Sequence, residues 1–113
     1  MIHKMKLQKG PFEAIKSGLK RIEMRLFDEK RQLVKVGDEI EFTLFDGTDT
    51  IYCIVEELKQ FDNFSQLYSH YDKGMLGYAK DQVACPQDMA QYYNNDEIKK
   101  YGVVGIEIKL KAN

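Results

Sequence analysis

Three charged side chains at short spacing are the part of this sequence that could do chemistry: Lys20, Glu23 and Arg25. Glu23 and Arg25 are two apart in an alternating segment, residues 21–27, so a strand would place them on one face about 6.5–7 Å apart. A lysine beside a carboxylate can hold an anion or, when desolvated, lose its proton and act as a base or nucleophile. An arginine can clamp a phosphate or carboxylate through two parallel hydrogen bonds.

The same spacing is compatible with a salt-bridged strand face that has no ligand. Strict alternation places Lys20 on the face of Ile22 and opposite that of Glu23. Lys20 reaches Glu23 only if the regular strand starts after Lys20. The spacing alone therefore leaves both interpretations open.

Length and charge limit the class of protein. The 113 residues are enough for one domain, residues 1–113, with a hydrophobic core. Residues 1–35 hold ten Lys or Arg against four Asp or Glu, and residues 36–113 hold seven against fourteen. The near-zero total argues against a general polyanion binder, while the basic N-terminal third either forms a local positive surface or pairs with the acidic remainder.

The cysteine and histidine content indicates no metal or cofactor. Cys53 and Cys85 are far apart, and with two histidines they give no zinc-binding spacing. No secretory signal and no 18-residue apolar run are visible in the sequence. We expect a cytoplasmic protein with reduced thiols and no membrane partner.

Periodicity predicts an α+β fold in the order β-α-β-β-β-α-α-β. Asp46-Gly47 marks a hairpin, and residues 51–55 are apolar on both faces, as in a strand buried on both sides. We predict a compact, mostly antiparallel β-barrel with peripheral helices. The predicted strands are 3–8, 21–27, 39–45, 49–58 and 103–110; the predicted helices are 11–17, 63–71 and 86–93, and residues 74–85 form a loop.

Three segments together resemble the ASCH domain family. The first is Gly18-x-Lys20-x-x-Glu23-x-Arg25, which is similar to that family's G-x-K-x-x-E-x-R motif. The turn and strand at 36–40 and the closing strand at 101–106 follow in the family's order. The resemblance covers about residues 3–110, and it implies a PUA-like β-barrel with a cleft floored by the motif's polar residues.

The resemblance also implies classes of activity. Family members are proposed to bind RNA, some bacterial relatives are amidohydrolases that deacetylate N4-acetylcytidine, and others are reported to cut RNA. In the amidohydrolase branch the motif lysine, here Lys20, is the nucleophile or base. That branch has a threonine where this chain has Glu23, and its further glutamate would fall near His70 or Asp72.

Other residues are candidates for the same cleft. Arg31 either pairs with Asp28 to shape a loop or faces the cleft. His70 lies at the edge of a helix's apolar stripe and would suit acid or base work near neutral pH. The loop 74–78 is either a base-stacking lid or a cover for one barrel end. Of the tyrosines at 92–93, at least one must serve packing.

Three functional hypotheses follow. The first is a module that binds RNA or a nucleotide, using Lys20, Arg25, Arg31 and His70 for the ligand and Glu23 to orient Lys20 or accept from a base edge. The second is a metal-independent amidohydrolase, or a ribonuclease, with Lys20 and Glu23 as catalytic residues. The third is a protein-interaction domain whose cleft is filled by side chains.

Overall fold

The computed structural model describes residues 1–111. These residues form five strands and three α-helices, with two short 3₁₀ helices at Arg31–Leu33 and Pro86–Gln91. The strands are β1 (Ile2–Leu7), β2 (Ile22–Leu26), β3 (Glu39–Leu44), β4 (Thr50–Phe61) and β5 (Val103–Leu110). The helices are α1 (Lys9–Lys16), α2 (Phe64–His70) and α3 (Asn95–Tyr101).

The five strands form one curled, mixed sheet in the order β1-β3-β4-β5-β2. Only β1 and β3 are parallel, because α1 and β2 intervene between them and carry the chain back to the same end. The other three pairings are antiparallel. The predicted α+β class with a mostly antiparallel, curled sheet is thus confirmed, in the form of a half-barrel whose edge strands are β1 and β2.

Both faces of the sheet are covered where β2 and β5 lie. On one face α1 buries Phe12 and Ile15 in a cluster with β1, β3, β4 and β5. On the other face α2 buries Phe64 and Leu67 against β2 and β5. Strands covered on both faces are normally apolar throughout. Glu23, in β2, is therefore a charged residue at a buried position where an apolar residue is usual.

Several element boundaries differ from those predicted. β4 continues to Phe61 because a bulge between Val55 and Glu57 lets it keep pairing with β5. Tyr52 in β4 is 44% exposed, so the prediction that this strand is buried on both faces is wrong. The segment predicted as a helix over 86–93 is a 3₁₀ helix over Pro86–Gln91.

No helix within residues 1–111 combines the length and the apolar character needed to cross a membrane.

Candidate functional site

The end of α1 sets the position of Lys20. Gly18 has a positive φ of 85°, a backbone conformation that glycine adopts readily, and it reverses the chain after the helix. The Lys20 amide then donates to the carbonyl of Ala14 at 3.0 Å. β2 begins at Ile22, so Lys20 precedes the strand and does not follow its alternation of side-chain faces. Its side chain turns toward Glu23.

The loop 74–78 packs directly on this turn. The amides of Arg21 and Ile22 both donate to the carbonyl of Met75 at 2.9 Å. Gly77 has φ +102°, and a Cβ there would come within 3.2 Å of Cδ of Lys20. The glycine therefore lets the loop backbone lie against the methylene chain of Lys20 and hold it in place.

Glu23 is bound by both neighbouring cations of the motif. Its Oε1 lies 2.9 Å from Nζ of Lys20. Its Oε2 accepts a hydrogen bond from Nε of Arg25 at 2.8 Å and lies 2.8 Å from Nη2 of the same guanidinium. The side chains of Lys20, Glu23 and Arg25 are 8%, 4% and 12% exposed. Charges this deeply buried are tolerated when they are paired, and here both cations share one carboxylate, which leaves the triad with a net charge of +1.

The charges of the triad determine how Glu23 titrates. Desolvation by burial raises the pKa of the Glu23 carboxyl, but the positive charges and hydrogen bonds of Lys20 and Arg25 lower it, and the net pKa falls below 4.5. Glu23 is consequently a carboxylate at neutral pH, able to accept hydrogen bonds or a proton but without one to donate.

Arg25 also joins the two edges of the half-barrel. Its Nη2 donates to the backbone carbonyl of Lys6 at 3.1 Å. Lys6 lies in β1 and Arg25 in β2, the two strands at opposite ends of the sheet order. One guanidinium thus bridges a gap that backbone pairing does not close, directly beside Glu23.

The triad lies at the floor of a cavity of about 290 Å³. Five aromatic side chains line the walls: Phe45, Tyr68, Tyr78, Tyr92 and Tyr93. Small-ligand sites combine apolar or aromatic walls with a few convergent polar groups, and this volume is near the lower end of their range of about 300–1,000 Å³. Side chains do not fill the cavity. The hypothesis of a protein-interaction domain without a small ligand required a filled cleft.

A chain of hydrogen bonds fixes one wall of the cavity. The hydroxyls of Tyr68 and Tyr78 lie 2.9 Å apart, and Tyr78 donates to Oδ2 of Asp88 at 2.7 Å. Tyr78 has a single hydroxyl proton, so Tyr68 is the donor to Tyr78 when Asp88 takes that proton. Desolvation, with the bonds to Tyr68 and Asp88, raises the pKa of Tyr78, which keeps it a neutral phenol. The wall therefore couples α2, the loop after it and the 3₁₀ helix.

Two of the predicted ligand residues lie elsewhere. Arg31 donates from Nη1 to Oδ2 of Asp28 at 2.9 Å, which shapes the loop before the first 3₁₀ helix, and it does not line the cavity. The ring of His70 is exposed and packs against Phe61 and Tyr71, with centroids 5.5 and 4.7 Å away, also outside the cavity. Of the five predicted site residues, the structure brings Lys20, Glu23 and Arg25 together.

Sequence reasoning missed three residues of the walls. Tyr68 follows the helical spacing of a core residue, although its hydroxyl required a polar partner. Phe45 is out of step with the apolar alternation of β3 and precedes the Asp46-Gly47 turn, which was a usable signal for an exposed aromatic. Asp88 carried no signal, because it lies in a short 3₁₀ helix.

Metal-binding geometry is not found in the part of the chain that the structure describes. Residues 1–111 contain no group of three or more His, Cys, Asp or Glu side chains placed to hold an ion. The two cysteines there are free thiols, and burial raises the pKa of Cys53 to about 11.

Comparison with solved structures places the fold among known proteins. The hypothetical protein PH0355 is 31% identical over 98% of this chain and all of its own, with a TM-score of 0.82. Protein PF0455 from Pyrococcus furiosus is 31% identical over the full length of both chains, with a TM-score of 0.70. ASCH from Zymomonas mobilis is 18% identical over 96% of this chain and 66% of its own, with a TM-score of 0.67. At this identity the similarity is one of fold.

A search of curated proteins finds no significant match to this sequence. The family model described as "ASCH domain" matches residues 5–112, nearly the whole chain and all of the motif. The match agrees with the resemblance seen in the residues themselves. The chain belongs to the ASCH domain family.

Proposed function

We propose that the cavity binds a single nucleoside or nucleotide unit of RNA. The observation that carries this proposal is the buried triad of Lys20, Glu23 and Arg25 at the floor of an aromatic-walled cavity. Aromatic faces stack on bases of any sequence, and charged floor groups recognise the polar edge of a base or a phosphate.

The floor retains hydrogen-bonding capacity for a ligand. Lys20 has three N–H groups, of which Glu23 Oε1 takes at most one. Arg25 uses Nε for Glu23 and Nη2 for Lys6, and its guanidinium also lies next to the Tyr93 hydroxyl. The triad's net charge of +1 favours ligand acceptors, such as base carbonyls and ring nitrogens or a phosphate oxygen.

The cavity size limits how much of a nucleic acid can enter. About 290 Å³ accommodates a small ligand such as one nucleoside, with the rest of a strand left outside. Tyr78 and Tyr93 are held by their own contacts, Tyr78 through Asp88 and Tyr93 by stacking on Phe64. Walls fixed before binding reduce the ordering cost of ligand association.

Hydrolysis of an N-acylated pyrimidine nucleoside is a second candidate. The observation that favours it is the 2.9 Å pairing of Lys20 with the ionised Glu23 at a base-sized cavity. Lys20 would activate the water, and Glu23 would take its proton as the water oxygen adds to the acetyl carbonyl carbon. The C–N bond would then break as Glu23 returns that proton to the exocyclic nitrogen, and acetate would leave.

Calorimetric titration with cytidine, cytidine monophosphate and N4-acetylcytidine tests the binding proposal. Arg25→Ala is expected to weaken binding about tenfold or more, because charge-assisted hydrogen bonds are worth about 1.5–3 kcal/mol each. Arg21→Ala is the matched control, since it removes the same charge from an exposed neighbouring position. Equal affinity for the wild type and Arg25→Ala would count against the cavity as the binding site.

Chromatographic detection of cytidine released from N4-acetylcytidine separates the two candidates. Turnover by the wild type that is lost in Lys20→Ala would establish the hydrolase. Binding of N4-acetylcytidine without release of cytidine would leave binding as the function of the site.

A further inference from the structure

Two aromatic side chains stand exposed at the mouth of the cavity. Phe45 is 62% exposed and Tyr92 is 44% exposed, yet both line the cavity. Phe45 comes from the turn between β3 and β4, and Tyr92 follows the 3₁₀ helix Pro86–Gln91. Neither ring belongs to a hydrophobic cluster of the fold, and the aromatic contact of Tyr92 is with another residue of the cavity wall, Tyr93, at 6.4 Å between ring centroids.

The backbones that carry these rings are held in place. The Phe45 amide donates to the carbonyl of Leu7 at 3.1 Å, which fixes the turn against the end of β1. The Tyr92 amide donates to the carbonyl of Met89 at 3.1 Å, and its neighbour Tyr93 is stacked on Phe64. The two rings are thus presented from anchored segments, as a stacking platform requires.

Lys6, on the edge strand β1, places a positive charge at the mouth of the cavity. Lys6 is exposed and lines the cavity, and its cross-strand neighbour is the uncharged Thr43. By contrast, Lys4 on the same strand face lies opposite Glu41, which offsets its charge. Lys6 is therefore the cation of this strand face that is placed to meet a phosphate at the mouth.

We propose that the mouth binds a single-stranded nucleic acid that crosses the cavity. One nucleotide occupies the cavity, the bases before and after it stack on Phe45 and Tyr92, and a connecting phosphate pairs with Lys6. This proposal rests on the proposed function, and it specifies the ligand as a strand of at least three nucleotides. Duplex is excluded as a ligand because its bases are already stacked on one another.

Fluorescence anisotropy with labelled cytidine monophosphate, a tricytidylate and a 12-base-pair RNA duplex tests the proposal. We expect the tricytidylate to bind at least tenfold more tightly than the mononucleotide. Phe45→Ala and Tyr92→Ala should each weaken tricytidylate binding about 5- to 100-fold, and by a larger factor than they weaken mononucleotide binding. Phe45→Trp should retain the tighter binding, since it preserves a stacking face.

Tyr52→Ala is the matched control. Tyr52 has the same 44% exposure as Tyr92, but it lies on β4 and does not line the cavity. Lys6→Ala should reduce the salt dependence of tricytidylate binding by about 0.7 in log–log slope, the value for one phosphate contact on a single strand.

Three results would overturn the proposal: a tricytidylate bound no more tightly than the mononucleotide, a duplex bound as well as the single strand, or Tyr52→Ala as harmful as Tyr92→Ala. Failure of the proposed function gives a different pattern. In that case Arg25→Ala leaves mononucleotide binding unchanged, whatever the variants at the mouth do.

Discussion

The ammonium of Lys20 lies 2.9 Å from the carboxylate of Glu23, and both side chains are less than 10% exposed. Arg25 binds the other oxygen of the same carboxylate and reaches the opposite edge of the sheet at Lys6. The groups proposed to bind a ligand therefore also hold the two edges of the half-barrel together. Changes in this triad should affect stability and binding together.

Glu23→Gln should destabilise the protein by about 3–5 kcal/mol at pH 7, because it leaves two buried cations without their shared anion. The folded-state pKa of Glu23 is lowered from 4.5, so its stabilisation is present above that pH and is lost as pH falls through the folded pKa. Urea unfolding at a series of pH values from 7 to 3 should show the gap between the two proteins narrowing below pH 4.5. A gap independent of pH would contradict the ion triad.

Arg25→Lys should loosen the joint between β1 and β2. A lysine keeps the charge but cannot bind Glu23 and the carbonyl of Lys6 in the same forked geometry, so we expect a loss of about 1.5–3 kcal/mol. Hydrogen exchange should become faster for the amides of β1 relative to those of β4. Arg21→Lys is the control, and unchanged exchange in β1 of Arg25→Lys would argue that Arg25 does not close the sheet.

Gly77→Ala should weaken both the fold and the binding site. The φ of +102° strains any side chain by about 1–3 kcal/mol, and the new Cβ would press on Cδ of Lys20. Gly74→Ala is the matched control in the same loop, since a Cβ there meets nothing within 4 Å and φ is not positive. Thermal unfolding of both variants measures the effect, and equal stability would show that the loop does not hold Lys20.

Tyr78→Phe should cost about 1–3 kcal/mol and leave the wall disordered relative to the wild type. It removes the proton that Asp88 accepts and the oxygen that pairs with the half-buried Tyr68. Tyr52→Phe is the control, because it loses one exposed contact of 3.3 Å to Glu41 and should cost less than about 0.5 kcal/mol. Similar losses in the two variants would mean that the hydrogen-bond chain does not stabilise the wall.

The sequence predicted the positions of most strands for definite physical reasons. Apolar alternation marks strands, and it located β3 and β5 within one residue. The pairing of Lys20 with Glu23 was conditional on where the strand starts. Periodicity does not resolve strand ends, so only the structure, with β2 starting at Ile22, settles it.

The walls of the cavity could not be predicted in the same way. The loop 74–85 has no periodicity, and its position depends on single contacts such as the Met75 carbonyl and the Tyr78 hydroxyl. His70 was chosen for its chemistry at the edge of a helical stripe, but α2 packs with that edge against Phe61, away from the cavity. Which helix edge meets a site depends on tertiary packing rather than on spacing.

The most direct test of the account is an amide chemical-shift titration of the labelled protein with cytidine monophosphate. We predict saturable shifts at residues 20–25 and 76–78 and around Tyr93, the floor and walls of the cavity. The second, polar depression beside α3, around Ile98 and Gly102, should remain unchanged. Shifts confined to that depression, or no saturable shifts at all, would contradict the claim that the triad floors a nucleotide-binding cavity.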